Sequence, residues 1–372
     1  MSQYLWGVGT SMFGKQPERT PTELIHQAVV EAIRDAGSPA LDAVFVGTCF
    51  GEPGIAQRAL HRLGITKLPI AVYENACASS THAFHEACSS VREGRFETVL
   101  VLGIEHLTSL FDGAIPVVQT DAEGRAGLAL PALYAMSAAR YQDVYGVTDR
   151  QLAQVSVKNH AHGMHNPRAQ HRSTVTADGV LSSRPIADPL TLLQCCSIAD
   201  GAAACVVAAT RRTRRDVEVR ATAFTTGGLW DHTSDHAWGF DIVRDTAARA
   251  YEAAGIGVHD IDVFEVHDAF TIGEIVTTEA LGLADEGGGG RLVMSGATTL
   301  GGHSPVNPSG GLLSRGHPLG ATGVAQIAEI AWQLRGEAGA RQTQARTGLV
   351  ETMGGGVAGI DGNACVVAVL SR

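Results

Sequence analysis

Two stretches of this chain nearly repeat one another. Residues 200–209 read Asp-Gly-Ala-Ala-Ala-Cys-Val-Val-Ala-Ala, and residues 361–370 read Asp-Gly-Asn-Ala-Cys-Val-Val-Ala-Val-Leu. Each is a turn running into a strand of small apolar residues with no polar alternation. Such a strand must be covered on both faces, as in a sheet with helices on either side. Residues 45–47 and 263–266 extend the repeat, since each follows an amphipathic helical stretch closed by Ala-Gly, at Ala36-Gly37 and Ala254-Gly255. The expectation is an α/β protein of two similar halves, about 1–215 and 216–372. Residues 112–190 are richer in polar residues, His and Arg, and read as an insertion laid over the first half, where ligands commonly bind.

Hydrophobic residues at 45% and charged residues at 18% allow a large core. The net charge of −10 and the lack of a basic tail argue against a nucleic-acid partner. The one basic run, Arg211-Arg212-Thr213-Arg214-Arg215, reads as a solvated connection between strands. Seven cysteines, an odd number without a CxxC pair, argue against a disulfide framework or structural zinc and for a reducing, cytoplasmic setting. No membrane span and no secretory leader pattern is apparent.

Four motifs carry chemistry. In Asn75-Ala76-Cys77-Ala78-Ser79-Ser80, Cys77 sits where a strand turns into a helix. Unpaired N–H groups and the dipole there can lower a thiol pKa and bind an oxyanion. In Gly316-His317-Pro318-Leu319-Gly320, a glycine-rich loop presents His317 before a long apolar helix, placed to take a thiol proton. In Glu265-Val266-His267-Asp268-Ala269-Phe270, a strand ends in a polar pair, with His267 able to orient a water and Asp268 able to cap the next helix. Thr352-Met353-Gly354-Gly355-Gly356 is a turn whose amides can face negative charge. His160, His162 and His165 raise the possibility of a metal, which the pattern disfavours. His232 and His236, with Asp235 between them, read as a loop near the substrate entry.

Together and in this order, these motifs resemble the thiolase superfamily and, within it, the sterol-carrier-protein-type thiolases. Leu192-Leu193-Gln194-Cys195-Cys196 before Asp200-Gly201 supports that subgroup, as does Lys158-Asn159-His160-Ala161-His162 before Asn166-Pro167. The resemblance implies the thiolase fold, two βαβαβαββ halves in five αβαβα layers with a loop domain. It implies a coenzyme A thioester substrate with no bound cofactor or metal. It also implies a homodimer or dimer of dimers, and a possible small zinc-ribbon/OB-fold partner protein. By position, Cys77 matches the acylated nucleophile, His317 its activating base, and His267 the holder of an oxyanion-binding water. The amides of Cys77 and Gly354 match a second oxyanion hole.

One departure stands out. The family's second cysteine, an acid/base, is replaced by Thr352 at one of its two known places and by Ala269 at the other. A threonine hydroxyl is far too weak an acid to stand in for it. The leading expectation is an acyl-CoA C-acyltransferase acting through an acyl-Cys77, with acyl-CoA as its small-molecule partner. A retro-aldolase on a coenzyme A thioester and a non-catalytic acyl-CoA-binding subunit are the alternatives.

Overall fold

A computed structural model describes residues 2–372 except 118, 120, 121, 232, 235 and 356–358. His232, Asp235 and Gly356, singled out above, therefore lie outside the described residues. The first half runs β1 (Gln3–Thr10), α1 (Pro21–Asp35), β2 (Ala43–Gly47), α2 (Ile55–Arg62), β3 (Ile70–Tyr73), α3 (Ser79–Arg92) and β4 (Thr98–His106). The chain then leaves the sheet for α4 (Leu130–Tyr145) and α5 (Asp149–Gly163), and returns as β5 (Asp200–Ala208). The second half runs β6 (Val217–Thr225), α6 (Phe240–Ala254), β7 (Val263–Glu265), α7 (Thr271–Ala280), α8 (Thr322–Arg335), β8 (Thr347–Gly354) and β9 (Ala364–Ser371).

The nine strands form one sheet in the order β3-β2-β4-β5-β1-β6-β9-β8-β7. Read outward from the central β1–β6 pair, both halves follow the same order and the same parallel and antiparallel senses. The second half's counterpart of β3 is reduced to a single parallel bridge, Phe264 to Val306. The likeness extends to single hydrogen bonds. Asp42 accepts from the amides of Glu97 and Thr98, both at 2.9 Å, where β2 meets β4. Asp262 accepts from Arg346 and Thr347, at 2.8 and 2.9 Å, where β7 meets β8.

Sequence dictates the layering. Along β4, Leu100 and Leu102 pack with α1 and α2, while Val99 and Val101 pack with α3 and α8. Along β9, Cys365, Val367 and Val369 pack with α6 and α7, while Ala368 and Leu370 join the same α3–α8 core. The alternation of a strand thus feeds an outer and a middle core at once. The result is five layers, with α3 and α8 forming the middle one. Each buried Leu or Val contributes roughly 1.5–3 kcal/mol.

Helix ends fall where the sequence places them. Thr20 and Glu23 form a capping box on α1, with Pro21 in its first turn and Gly37 in the left-handed region (φ 73°) beyond its end. The basic run after β5 is less free than expected. Arg212 stacks on Trp6 at 3.5 Å from the ring centre, and Arg215 pairs with Asp35 and Glu337 at 2.6 and 2.5 Å, tying the two halves together. No helix among the described residues is long and apolar enough to cross a membrane.

Candidate active site

Cys77 lies in the turn between β3 and α3. Ala76, just before it, has φ 49°, a left-handed conformation that costs a non-glycine residue about 1–2 kcal/mol. Local hydrogen bonds hold the strain. The Ala76 amide donates to Glu74 at 2.7 Å, and its carbonyl accepts from the hydroxyl of Ser79 at 2.6 Å and the thiol of Cys49 at 2.8 Å. This turn delivers the Cys77 sulfur into a buried space, 6% exposed.

His317 arrives from the other half of the chain, in the loop leading into α8. Its Nε2 lies 3.2 Å from Cys77 Sγ, and its Nδ1 lies 2.8 Å from the Thr322 hydroxyl. That hydroxyl has one proton, which it gives to the Pro318 carbonyl at 3.1 Å. It therefore accepts the Nδ1 proton, and Nε2 is left with its lone pair toward the thiol. The loop is fixed from behind by Glu105, at the end of β4. Its carboxylate accepts from the amides of Cys49, Phe50 and Gly320 and from the Thr48 hydroxyl, at 2.9–3.2 Å.

His267 completes the cluster. Its ring meets that of His317 edge to face at 5.1 Å between centres. The donor atoms of Cys77, His267 and His317 all lie within 4.8 Å of one another. A thiolate and two imidazoles can grip a metal ion, but an ion there would occupy the lone pairs that proton transfer needs. His267 is set by its own amide, which donates to Glu351 on β8 at 2.9 Å. Its Nδ1 is buried and has no partner among the described residues. His267 also lines a narrow cavity of about 10 Å³ with Tyr134, Trp238, Gly273 and Met353. A water needs roughly that much room.

Burial governs the charges. It pushes the Cys77 thiol up to about 12, and the nearby Glu105 carboxylate adds to the effect. The amides of Cys77 and Gly355 donate toward the sulfur and pull the other way without prevailing. The helix start was expected to lower the thiol pKa, and here desolvation outweighs it. Burial likewise lowers His267 to about 3, with Arg315 adding to the effect, and takes His317 well below its usual value, with the His267 ring and Arg315 reinforcing this. The resting pair is therefore a neutral thiol beside a neutral imidazole.

The geometry can be set beside known proteins. Residues 8–211 match the family described as "Thiolase, N-terminal domain", and residues 228–371 match "Thiolase C-terminal domain-like". The chain belongs to the thiolase family. It is 39% identical to an acetyl-CoA acetyltransferase of Methanothermobacter thermautotrophicus, over 98% of each chain. It is 36% identical to sterol carrier protein 2 of Oryctolagus cuniculus, over 96% of this chain and 70% of that one. Among solved structures, the Ltp2-ChsH2(DUF35) aldolase superposes with a TM-score of 0.85 at 23% identity, covering 100% of this chain and 98% of that one.

In this thiolase-family chain, Thr352 and Ala269, where the resemblance implies a second thiol, are both committed to structure. Thr352 donates its hydroxyl to Gln326 on α8 at 2.6 Å. Ala269 is packed away, 3% exposed. Gly354 ends β8 where the halves touch, and a Cβ there would stand 2.2 Å from the Asn75 carbonyl oxygen. Asp268 does not cap its own helix, whose cap position is Phe270. It accepts instead from the Leu312 amide at 2.7 Å, at the start of the short helix Gly311–Arg315, and from Asn159 at 2.7 Å.

The histidines of α5 are structural. His162 gives its Nδ1 proton to the Asn307 carbonyl at 3.0 Å and takes the Leu300 amide on Nε2 at 3.2 Å, while His165 is exposed. Lys158 pairs with Glu274 at 2.8 Å beneath the His267 loop, and both are buried. His236 pairs with Asp241 at 3.0 Å. Sequence reading missed Glu105 and Glu351. The available signal was a lone carboxylate inside each of two mostly apolar strands.

Proposed function

We propose that this chain is an acyl-CoA C-acyltransferase that carries the acyl group as a thioester on Cys77. The observation that supports this best is the 3.2 Å contact between Cys77 Sγ and the unprotonated Nε2 of His317. As the sulfur attacks a thioester carbonyl, His317 takes its proton, so no thiolate need exist beforehand in the buried pocket. His267, through a water in its cavity, and the amides of Cys77 and the Gly354-Gly355 turn are the donors for the developing oxyanions. The acyl group then passes to coenzyme A or to a carbon nucleophile. Acyl-CoA is the substrate in this reading, and the protein works as a homodimer or dimer of dimers in the cytoplasm. A small zinc-ribbon/OB-fold protein is a candidate partner, checked by co-purification.

The test is intact-mass measurement after incubation with a panel of acyl-CoAs. The wild-type protein gains one acyl group and Cys77→Ala gains none. No adduct with any acyl-CoA refutes the proposal. The absence of a thiol at both 269 and 352 favours one other reading, carbon–carbon lysis of a coenzyme A thioester. Full activity in Cys77→Ala would select it.

A further inference from the structure

A second thiol, that of Cys196, lies beside the site, on a segment other than the two where the resemblance places the family's second cysteine. Residues 195–198 run between the two histidine segments. On one side, Cys195 bridges Phe270 in antiparallel register, and the Cys196 amide donates to the Ala269 carbonyl at 2.8 Å. On the other, Ile198 bridges His317, whose amide donates to the Ser197 carbonyl at 3.1 Å. The register places Cys196 directly opposite Ala269. Side chains opposite one another in an antiparallel pair share a face, with Cβ atoms about 4.5–5.5 Å apart. A thiol missing from 269 is thus restored one cross-strand step away.

The other cysteines are otherwise engaged. Cys88, Cys205 and Cys365 lie in the apolar cores. Cys49 donates to the Ala76 carbonyl and Cys195 to the Thr191 carbonyl, at 2.8 and 3.3 Å. The Cys196 thiol has no such side-chain partner among the described residues, and its residue keeps partial access to solvent. Negative charge on Cys77 raises the Cys196 thiol, second only to burial, so the two sulfurs are within electrostatic reach. Charge on Tyr134, disfavoured first by burial, is disfavoured further by Cys77, Glu351 and Cys196, so it too is within electrostatic reach of both sulfurs.

We propose that Cys196 is the acid/base of the carbon–carbon step, standing in for the thiol absent at position 269. The proposal rests on the acyl-enzyme reading above. In the cleavage direction, Cys77 adds to the 3-carbonyl of a 3-oxoacyl thioester and gives its proton to His317. The C2–C3 bond breaks, and its electron pair stays on C2. C2 takes the proton of the Cys196 thiol, and the C1–C2 fragment departs as acetyl-CoA, leaving the shortened acyl group on Cys77. A coenzyme A thiol then gives its proton to the Cys196 thiolate and attacks the acyl-Cys77 carbonyl. Cys77 leaves and recovers its proton from His317. A thiol whose pKa is raised suits the donor role, since it stays protonated until the carbanion forms.

The experiment reads the two steps separately on the full chain. Intact mass reports acylation of Cys77, and incorporation of deuterium from heavy water into the methyl group of acetyl-CoA reports proton transfer at C2. Cys196→Ala is expected to reach the same acyl adduct at the end point, more slowly because the thiolate of coenzyme A must then leave unassisted, while deuterium incorporation falls about 100-fold or more, within the usual range for a positioned acid/base. The double variant Cys196→Ala with Ala269→Cys is expected to regain exchange, which repair of a packing defect elsewhere would not achieve. Exchange within a few-fold of wild type in Cys196→Ala overturns the proposal. So does loss of both readouts without recovery in the double variant. A wild-type protein that takes up no acyl group overturns the acyl-enzyme reading as well, and the mass readout shows that before any exchange is measured.

Discussion

Replacing Thr322 by Val tests how His317 is held. The two side chains have nearly the same shape, and Thr322 is fully buried at the start of α8, so packing changes little. What is lost is the oxygen 2.8 Å from His317 Nδ1. A buried N–H left without a partner costs about 1–3 kcal/mol. The imidazole can escape that cost only by moving its proton to Nε2 or by turning, and either change removes the lone pair that faces Cys77. If the whole cost appears in the barrier to acylation, the rate falls by roughly 5- to 150-fold.

Rapid-quench intact mass with a reactive acyl-CoA measures that rate directly. Thr322→Ser keeps the oxygen and should acylate close to the wild-type rate. Neither the thiol, pushed up to about 12, nor His317, held well below its usual value, titrates near neutrality. The deficit of Thr322→Val should therefore be the same at pH 6.5 and pH 8.5. The reasoning fails if Thr322→Val acylates at the wild-type rate, or if Thr322→Ser is as slow as the valine variant.

Two carboxylates give further tests. Burial raises Glu351 from 4.5 to about 7 in the folded protein, so the native state holds its proton more tightly than the unfolded chain. Its stabilising contribution is present below pH 4.5 and lost as pH rises through 7, which makes the wild type less stable at pH 8. Glu351→Gln should raise stability at pH 8 by up to about 3 kcal/mol, at 1.36 kcal/mol per pH unit, and leave it nearly unchanged at pH 4. Melting curves that shift equally at both pH values would contradict this. Glu105→Gln presents an NH2 group to amides that now donate to an oxygen, and should cost about 2–4 kcal/mol in denaturant unfolding while slowing acylation through movement of the Gly320 loop. Unchanged unfolding would mean that Glu105 does not fix that loop.

Much of the fold was legible because its strands are read by alternation or its absence, and its helices by caps. The turn at Asp200-Gly201 and the uninterrupted apolar run after it announce a strand covered on both faces, and β5 is buried along its whole length. Pro21 and Gly37 bound α1 for reasons local to those residues. The site was legible as a set of motifs, because a turn that must bring a side chain to one point needs small residues around it. What stayed hidden depends on contacts between distant segments. The Cys77 pKa follows from how completely the other half covers the sulfur. Asp268 caps a helix more than forty positions away in the chain, at Leu312, which no local pattern can reveal. Cys196 was visible as part of a family signature, but its position opposite Ala269 exists only once residues 195–198 are paired with residues 269–270.

The duplication explains why this site assembles at all. Cys77 stands before α3 and His317 before α8, and these two helices make the middle layer. Their N-terminal ends meet. The Val324 amide donates to Ser80 Oγ at 3.2 Å, and a Cβ on Gly323 would stand 2.4 Å from the Thr81 methyl. A pseudo-twofold arrangement thus brings two equivalent turns to one point, and the sequences of those turns differ so that one carries the thiol and the other the base. Neither half contains a competent pair by itself. The 3.2 Å contact between Cys77 and His317 exists only while the middle core of Phe84, Val324 and Ile327 holds the halves in register. Movement of about 1 Å between halves would break that contact long before the sheet came apart, because a proton cannot be handed over at much greater distance. The proposed acyl transfer is therefore expected to report middle-layer packing more sensitively than unfolding does.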